Sequence, residues 1–332
     1  MAFRQISKLK IVGIMPIYNE ADIIEQTITH MTEQRIPLVI IEGESNDGSL
    51  EIERKFLGKG VLEIRILRSD PYYDRKAVLA EGYAFALQYS PDWIVYADAD
   101  EFLESPYPNL TLAEAIDNEA RLGYNLIQFN CFEFLLTEKD HLNPIQDIRK
   151  KLRYYTWTSD YYFRAWKHYP GTDLVACGGH KPVFPKGIEE RVSPTNFVIR
   201  HYKFRSLEHG IRKVFKERLP RYDPKNVAIG WHIHYRNLKP DPSYFIMDSG
   251  KLTKYEEDGR WDLERKFDPY FGAGKPPGIE DHLPIKERIS VLSSRVQELS
   301  RKVDELQQQL DAISQSPPVR IYCALKKLIR LR

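Results

Sequence analysis

The chain has 332 residues, of which 42% are hydrophobic, 29% charged and 12% aromatic, and its formal net charge is +2. That content fills a sizeable core in about two structural parts, which excludes a disordered chain, and the near-neutral charge gives no reason to expect nucleic acid. Cys131, Cys177 and Cys323 are too few and too scattered for a disulfide framework or a zinc site, so a reducing compartment is expected.

The fold is expected to begin almost at once, with no signal peptide and no run of about 18 apolar residues to span a membrane. Residues 10–16, 38–44, 62–68 and 92–97 are short runs rich in Ile, Val or Leu that end in polar or turn residues, the pattern of strands covered on both faces. Between them, residues 20–33 space Ile23, Ile24, Thr27, Ile28 and Met31 as one helical face, and residues 75–88 do the same with Val78, Leu79, Tyr83, Ala86 and Leu87. Strands alternating with helices at this interval predict parallel βαβ units over the first hundred or so residues.

Pro16 is expected to stop the first strand, and Asn19 or Glu20 to cap the helix after it. Ser45-Asn46-Asp47-Gly48 reads as a turn, with Asp47 or Ser49 starting the next helix. Arg75 and Lys76 stand in the first turn of the third helix, where cations do not complement the helix dipole. They serve either a bound anion or a solvated turn with Asp74. Asp98-Ala99-Asp100 follows the fourth strand at its carboxyl edge, where open α/β sheets bind ligands, and residues two apart can turn both carboxylates to one hard cation.

From Asn125 onward the pattern loosens into mixed strands dense in aromatics, among them Phe129, Phe132, Phe134, Tyr154, Tyr155, Trp157 and Trp166. Cys177-Gly178-Gly179-His180 is a permissive turn beside an imidazole, which either positions a ligand or serves the structure. Trp231-His232-Ile233-His234-Tyr235 puts two histidines on one face of a strand without an adjoining third ligand. Ile289, Val296, Val303 and Leu310 share one heptad position and Leu292, Leu299, Leu306 and Ile313 the position three residues later, which predicts a parallel two-stranded coiled coil over residues 283–315 and a homodimer. Pro317-Pro318 ends it. Residues 316–332 then form a basic amphipathic tail, suited to an anionic membrane surface or to docking on the protein itself.

Pro16-Ile17-Tyr18-Asn19-Glu20, Glu42-Gly43-Glu44-Ser45-Asn46-Asp47-Gly48-Ser49 and Asp98-Ala99-Asp100-Glu101-Phe102 fall in the order and at the intervals that resemble the inverting family 2 glycosyltransferases of GT-A fold, especially their soluble bacterial branch. Glu42 departs from the usual Asp of the second motif. The resemblance implies a doubly wound mixed α/β sheet over residues 1–282, with its nucleotide half at about 8–105 and its acceptor half at about 106–282, ahead of the coiled coil. It implies Mn2+ or Mg2+ on Asp98, Asp100 and His201, with His201 otherwise a structural histidine. Pro16, Tyr18, Glu20, Glu42, Asp47, Arg75, Lys76 and Asp98 become candidate donor contacts, Asp47 equally a cap.

The expected activity is transfer of a sugar, with inversion, from a UDP- or GDP-sugar to a glycan, lipid-linked or protein acceptor in the cytoplasm, near the inner face of the plasma membrane. Asp173, Asp160 and His180 are the candidate catalytic groups, Asp173 because the Pro170-Gly171-Thr172 turn could present it at a pocket rim. Two other classes stay open, a nucleotidyltransferase and a non-catalytic scaffold. Against the first, residues 16–20 are not the Gly-rich basic loop it would need.

Overall fold

In chain order the elements that build the amino-terminal half are β1 (Ile11–Ile17), α1 (Ile24–Glu33), β2 (Leu38–Glu42), α2 (Ser49–Arg54), β3 (Val61–Ile66), α3 (Arg75–Leu87), β4 (Trp93–Tyr96), β5 (Glu101–Glu104) and α4 (Leu112–Arg121). They are followed by β6 (Leu126–Phe134), β7 (Leu136–Thr137), α5 (Ile148–Lys151), β8 (Tyr154–Trp157), β9 (Tyr162–Lys167), β10 (Phe197–His201), α6 (Leu207–Ile211), β11 (Ile246–Met247) and β12 (Thr253–Lys254). This computed structural model describes residues 9–69, 72–140, 147–158, 162–224, 235, 238–255 and 301. The chain divides into two units, residues 1–228 with 232–275 and residues 229–231 with 276–332, and every described residue except Arg301 lies in the first.

The main sheet runs β12-β8-β6-β9-β4-β1-β2-β3, and β10 joins it against β6 and β5. Its β4-β1-β2-β3 half is parallel, as the alternation of strands and helices predicts. The other half is mixed: β9 runs antiparallel to β4 and β6, and β10 runs parallel to β6 and antiparallel to β5. The period-two side chains of β1 explain its central place. Ile11, Met15 and Ile17 share a core with Ile24, Ile28 and Met31 of α1, whereas Val12 and Ile14 share another with Val78, Leu79 and Phe85 of α3. Each fully buried side chain of this size contributes roughly 1.5–3 kcal/mol, so helices on both faces hold the strand. Among the described residues, no helix is long and apolar enough to cross a membrane.

Two local expectations are corrected. Pro16 does not stop β1, which continues to Ile17 with Pro16 opposite Ile41 of β2. The pairing of β1 with β4 ends at Ile14 opposite Tyr96, so on that side no strand is left to miss the absent N–H. Neither Asn19 nor Glu20 caps α1, which starts at Ile24 without a side-chain cap. Asn19 instead takes a left-handed φ of 54°, which asparagine tolerates, and both side chains are spent elsewhere. Asp74 caps α3, with its Oδ1 accepting from the N–H groups of Lys76 at 2.9 Å and Ala77 at 3.1 Å.

Candidate functional site

The carboxyl end of β4 delivers Asp98 and Asp100 on a tight turn in which Glu101 N–H donates to the Asp98 carbonyl at 3.0 Å. Two hydrogen bonds pin this turn from either side. Thr27 of α1 donates its hydroxyl to the Ala99 carbonyl at 2.8 Å, and Tyr202 N–H donates to the Asp100 carbonyl at 2.9 Å. Strand β10 then brings His201 into register with Glu101 of β5 on one side and Glu133 of β6 on the other. Sheet order therefore places His201 beside the Asp98-Asp100 turn although about a hundred residues separate them.

Each of the two aspartates faces protein cations. Arg164 is 1% exposed and donates from Nη2 to Asp98 Oδ2 at 3.1 Å, while also pairing with buried Glu101. Asp98 Oδ1 accepts from the Tyr96 hydroxyl at 3.0 Å and lies 3.8 Å from Arg75 Nη1. The turn at residues 177–180 holds these guanidiniums in place, because the Gly178 carbonyl accepts from Arg75 Nε at 3.2 Å and the Gly179 carbonyl from Arg164 Nη1 at 3.3 Å. Gly179 has φ 86° and packs so closely on α3 that a Cβ there would lie 2.8 Å from Leu79 Cδ2. Only glycine meets both demands.

Asp100 is held from below by a π-helical turn, Arg212–Arg218. Lys213 Nζ donates to Asp100 Oδ2 at 2.8 Å and lies 2.9 Å from Glu20 Oε1. Bonding of the i→i+5 kind sets Arg218 on the same face as Lys213, and Arg218 Nη2 also reaches Glu20 Oε1 at 3.3 Å. His201 Nε2 lies 3.6 Å from Asp100 Oδ1 and Nδ1 3.9 Å from Glu133 Oε1. Burial works against charge on His201, but the Asp100 charge and hydrogen bond raise its pKa well above the ordinary value. Against a larger opposing effect of burial, Lys213 and His201 hold Asp100 well below the usual carboxylate range.

Glu20, Asp22 and His209 bring three atoms of metal-ligand type within 4.8 Å of one another. Arg205 lies among them, its Nη2 at 2.5 Å from Glu20 Oε2, 2.7 Å from Asp22 Oδ1 and 2.7 Å from His209 Nε2. Burial, then the Arg205 charge, pushes His209 down to about 2, so its ring is neutral. Divalent ions of the Mg2+ or Mn2+ type need ligand atoms turned toward one vacant centre. Arg205 occupies the first group, and in the second Lys213 pairs with Asp100 while Arg164 and Arg75 pair with Asp98, so the residues as folded do not fit a divalent ion.

The remaining expected residues divide. Tyr18 lies beneath Arg221, whose guanidinium carbon sits 3.5 Å from the ring centroid. Asp47 ties the first loop to the second: Oδ2 accepts from Ala21 N–H at 3.0 Å, and Oδ1 accepts from Ser49 N–H at 3.0 Å and its hydroxyl at 2.6 Å. Glu42 is buried, and its carboxylate accepts the Ser45 N–H and hydroxyl. Arg75 reaches the cluster while Lys76 is exposed. Burial, then the Arg164 and Arg75 charges, pushes His180 down to about 3, leaving a neutral ring 5.2 Å from that of Tyr162. Asp173 is exposed, and its Oδ1 accepts from the N–H groups of Val175 at 2.7 Å and Ala176 at 3.1 Å within its own turn. Asp160, His232 and His234 lie outside the described residues.

Beneath the second loop, burial and then the neighbouring Glu42 charge push the Glu53 carboxyl from the ordinary 4.5 up to about 9. Between those values the folded chain keeps a proton that the unfolded chain has released, so stability falls as pH rises across the window. The loss is expected to be on the order of a few kcal/mol. Glu53→Gln should flatten that dependence, and urea midpoints at pH 5 and pH 8.5 measure it. A wild-type midpoint that rises toward pH 8.5 contradicts a protonated Glu53.

Lys213, Arg164, Arg205, Arg218 and Glu133 were not foreseen as site residues. Spacing gives no sign of Arg164 or Glu133, which sit within ordinary strand patterns. A signal did exist for the others, a density of cations at Arg205, Arg212, Lys213, Lys216, Arg218 and Arg221 directly after the Arg200-His201 segment.

A parallel half-sheet with paired carboxylates at its carboxyl edge is the arrangement at which open α/β sheets bind ligands. The profile of glycosyl transferase family 2 matches residues 14–191, and the chain belongs to that family. No curated protein matches it. Similar solved structures include a mycobacterial protein at 16% identity and TM-score 0.25, where the match covers 38% of this chain and 41% of that one. A putative glucose-1-phosphate thymidylyltransferase from Bacillus anthracis, in complex with a sucrose, has 12% identity and TM-score 0.27 over 47% of this chain and 68% of that one. Mannose-1-phosphate geranyltransferase from Thermus thermophilus has 13% identity and TM-score 0.25 over 74% of this chain and 73% of that one.

Proposed function

We propose that the chain is an inverting glycosyltransferase moving a sugar from a UDP- or GDP-sugar to a hydroxyl of a glycan, lipid-linked or protein acceptor. The observation that carries this reading is the family match together with Asp98 and Asp100 at the end of β4. The donor lies along Tyr18 and the β4 edge, with its diphosphate toward Arg75 and Arg218. A carboxylate takes the acceptor proton as that oxygen attacks the anomeric carbon, the bond to the diphosphate oxygen breaks, and the nucleoside diphosphate leaves. The Mn2+ or Mg2+ expected at Asp98, Asp100 and His201 takes no step here, because those side chains are engaged by the protein.

For the base we assign Glu133 in place of Asp173, Asp160 and His180. Glu20, Asp22, Asp98, Asp100, Glu101 and Glu104 are each clamped by Lys or Arg. Glu133 is 21% exposed and its partner in the described ion pairs is the His201 ring. A base must keep a face open to its proton donor, and a carboxylate locked by a guanidinium does not.

The heptads of residues 283–315 and the basic tail of residues 316–332 lie outside the described residues. The roles we propose for them are a homodimer and contact with the inner face of an anionic membrane, in the cytoplasm. The activity is tested with a panel of nucleotide sugars, following release of the free sugar and nucleoside diphosphate. At least one donor should be hydrolysed slowly. No turnover of any donor, with release of pyrophosphate from a nucleoside triphosphate and a sugar phosphate, would make it a nucleotidyltransferase.

A further inference from the structure

We propose that this site binds the donor diphosphate without a divalent cation, the Lys213 ammonium standing in the cation's place; the inference rests on the glycosyltransferase reading. In a metal-dependent site, carboxylates outnumber the fixed cations and the ion supplies the missing positive charge. Here the balance is already met. Glu20, Asp22, Asp98, Asp100 and Glu101 are opposed by Arg75, Arg164, Arg205, Lys213 and Arg218 in direct ion pairs.

Position argues the same way. Lys213 is 4% exposed and sits 2.8 Å from Asp100 Oδ2 and 2.9 Å from Glu20 Oε1, a bridging place that a divalent ion could take only by expelling it. Expulsion has no evident path, since Lys213 belongs to a helical turn that Arg218 and Glu217 also fasten, the latter accepting from Asn19 Nδ2 at 3.0 Å. An ion added beside the ammonium would be repelled by it at short range. A diphosphate has no such conflict, because the site also has partly exposed cations. Arg75 is 20% exposed and Arg218 22% exposed, and their contacts to Asp98 and Glu20 are long, at 3.8 Å and 3.3 Å. Two partly exposed guanidinium groups are suited to phosphate oxygens.

The test is calorimetry of UDP and GDP against the full-length chain, once in EDTA and once in Mn2+. The expected result is binding of one of them in EDTA with a Kd within about threefold of that in Mn2+. Binding that appears only with Mn2+ overturns the proposal and leaves the transferase reading intact, whereas no binding of either nucleotide in either buffer counts against both. Lys213→Met alone leaves the buried Asp100 without its ammonium partner and could unfold the chain, so the variant is Asp100→Asn with Lys213→Met, which removes one charge of each sign. In EDTA its affinity should fall about tenfold or more, and Mn2+ should not restore it. Unchanged affinity in that folded double variant shows that Lys213 is not the counter-charge and overturns the proposal.

Discussion

Arg164→Met is expected to cost about 3–5 kcal/mol of folding stability, because it leaves Asp98 and the buried Glu101 without the guanidinium that spans them. Methionine fills most of the volume, so the loss is electrostatic rather than a cavity effect. A second change separates the two. In the Arg164→Met background, Glu101→Gln removes the stranded charge and should return a large part of the loss, while Glu101→Gln alone should destabilise. Urea denaturation of the four proteins closes the cycle. Additive losses would mean that the two side chains do not act as a pair.

Glu133→Gln is expected to lower turnover by about 100-fold to 10,000-fold while leaving nucleoside diphosphate affinity and folding stability nearly unchanged. The substitution keeps shape and a partner for His201 but cannot accept the acceptor's proton. Its signature is a split between functions: transfer to an acceptor should collapse while the nucleoside diphosphate still binds. Wild-type turnover in Glu133→Gln would return the base to Asp160 or Asp173, and loss of nucleotide binding would show that Glu133 is structural.

Elements whose cause is local could be read directly from the chain. Apolar runs gave β1 to β4, and the 3.6-residue spacing gave α1 and α3. The Asp98-Asp100 turn was legible for the same reason, since strand end and carboxylates are contiguous. What stayed hidden was everything fixed by long-range pairing. Arg164 meets Asp98 because β9 lies against β4, and His201 meets Asp100 because β10 lies between β5 and β6. No period in the sequence encodes those adjacencies. Pro16 misled for a related reason: its tolerance inside β1 depends on where β4 ends, a property of the neighbour rather than of the proline.

The π-helical turn at Arg212–Arg218 makes this part of the chain sensitive to length in a way that ordinary helices are not. Its wider winding accommodates one more residue per turn than α-helical bonding would, and that extra residue lets Lys213 and Arg218 converge on the same carboxylate. Losing a single residue between them would rewind the turn and swing one cation off Glu20, even if every remaining side chain were kept. Substitutions here change chemistry, whereas insertions and deletions change aim. Relatives that share the acidic motifs but differ by one residue in this stretch would therefore differ in how their charges are placed, and alignments that slide a gap freely through it would pair residues that face opposite ways.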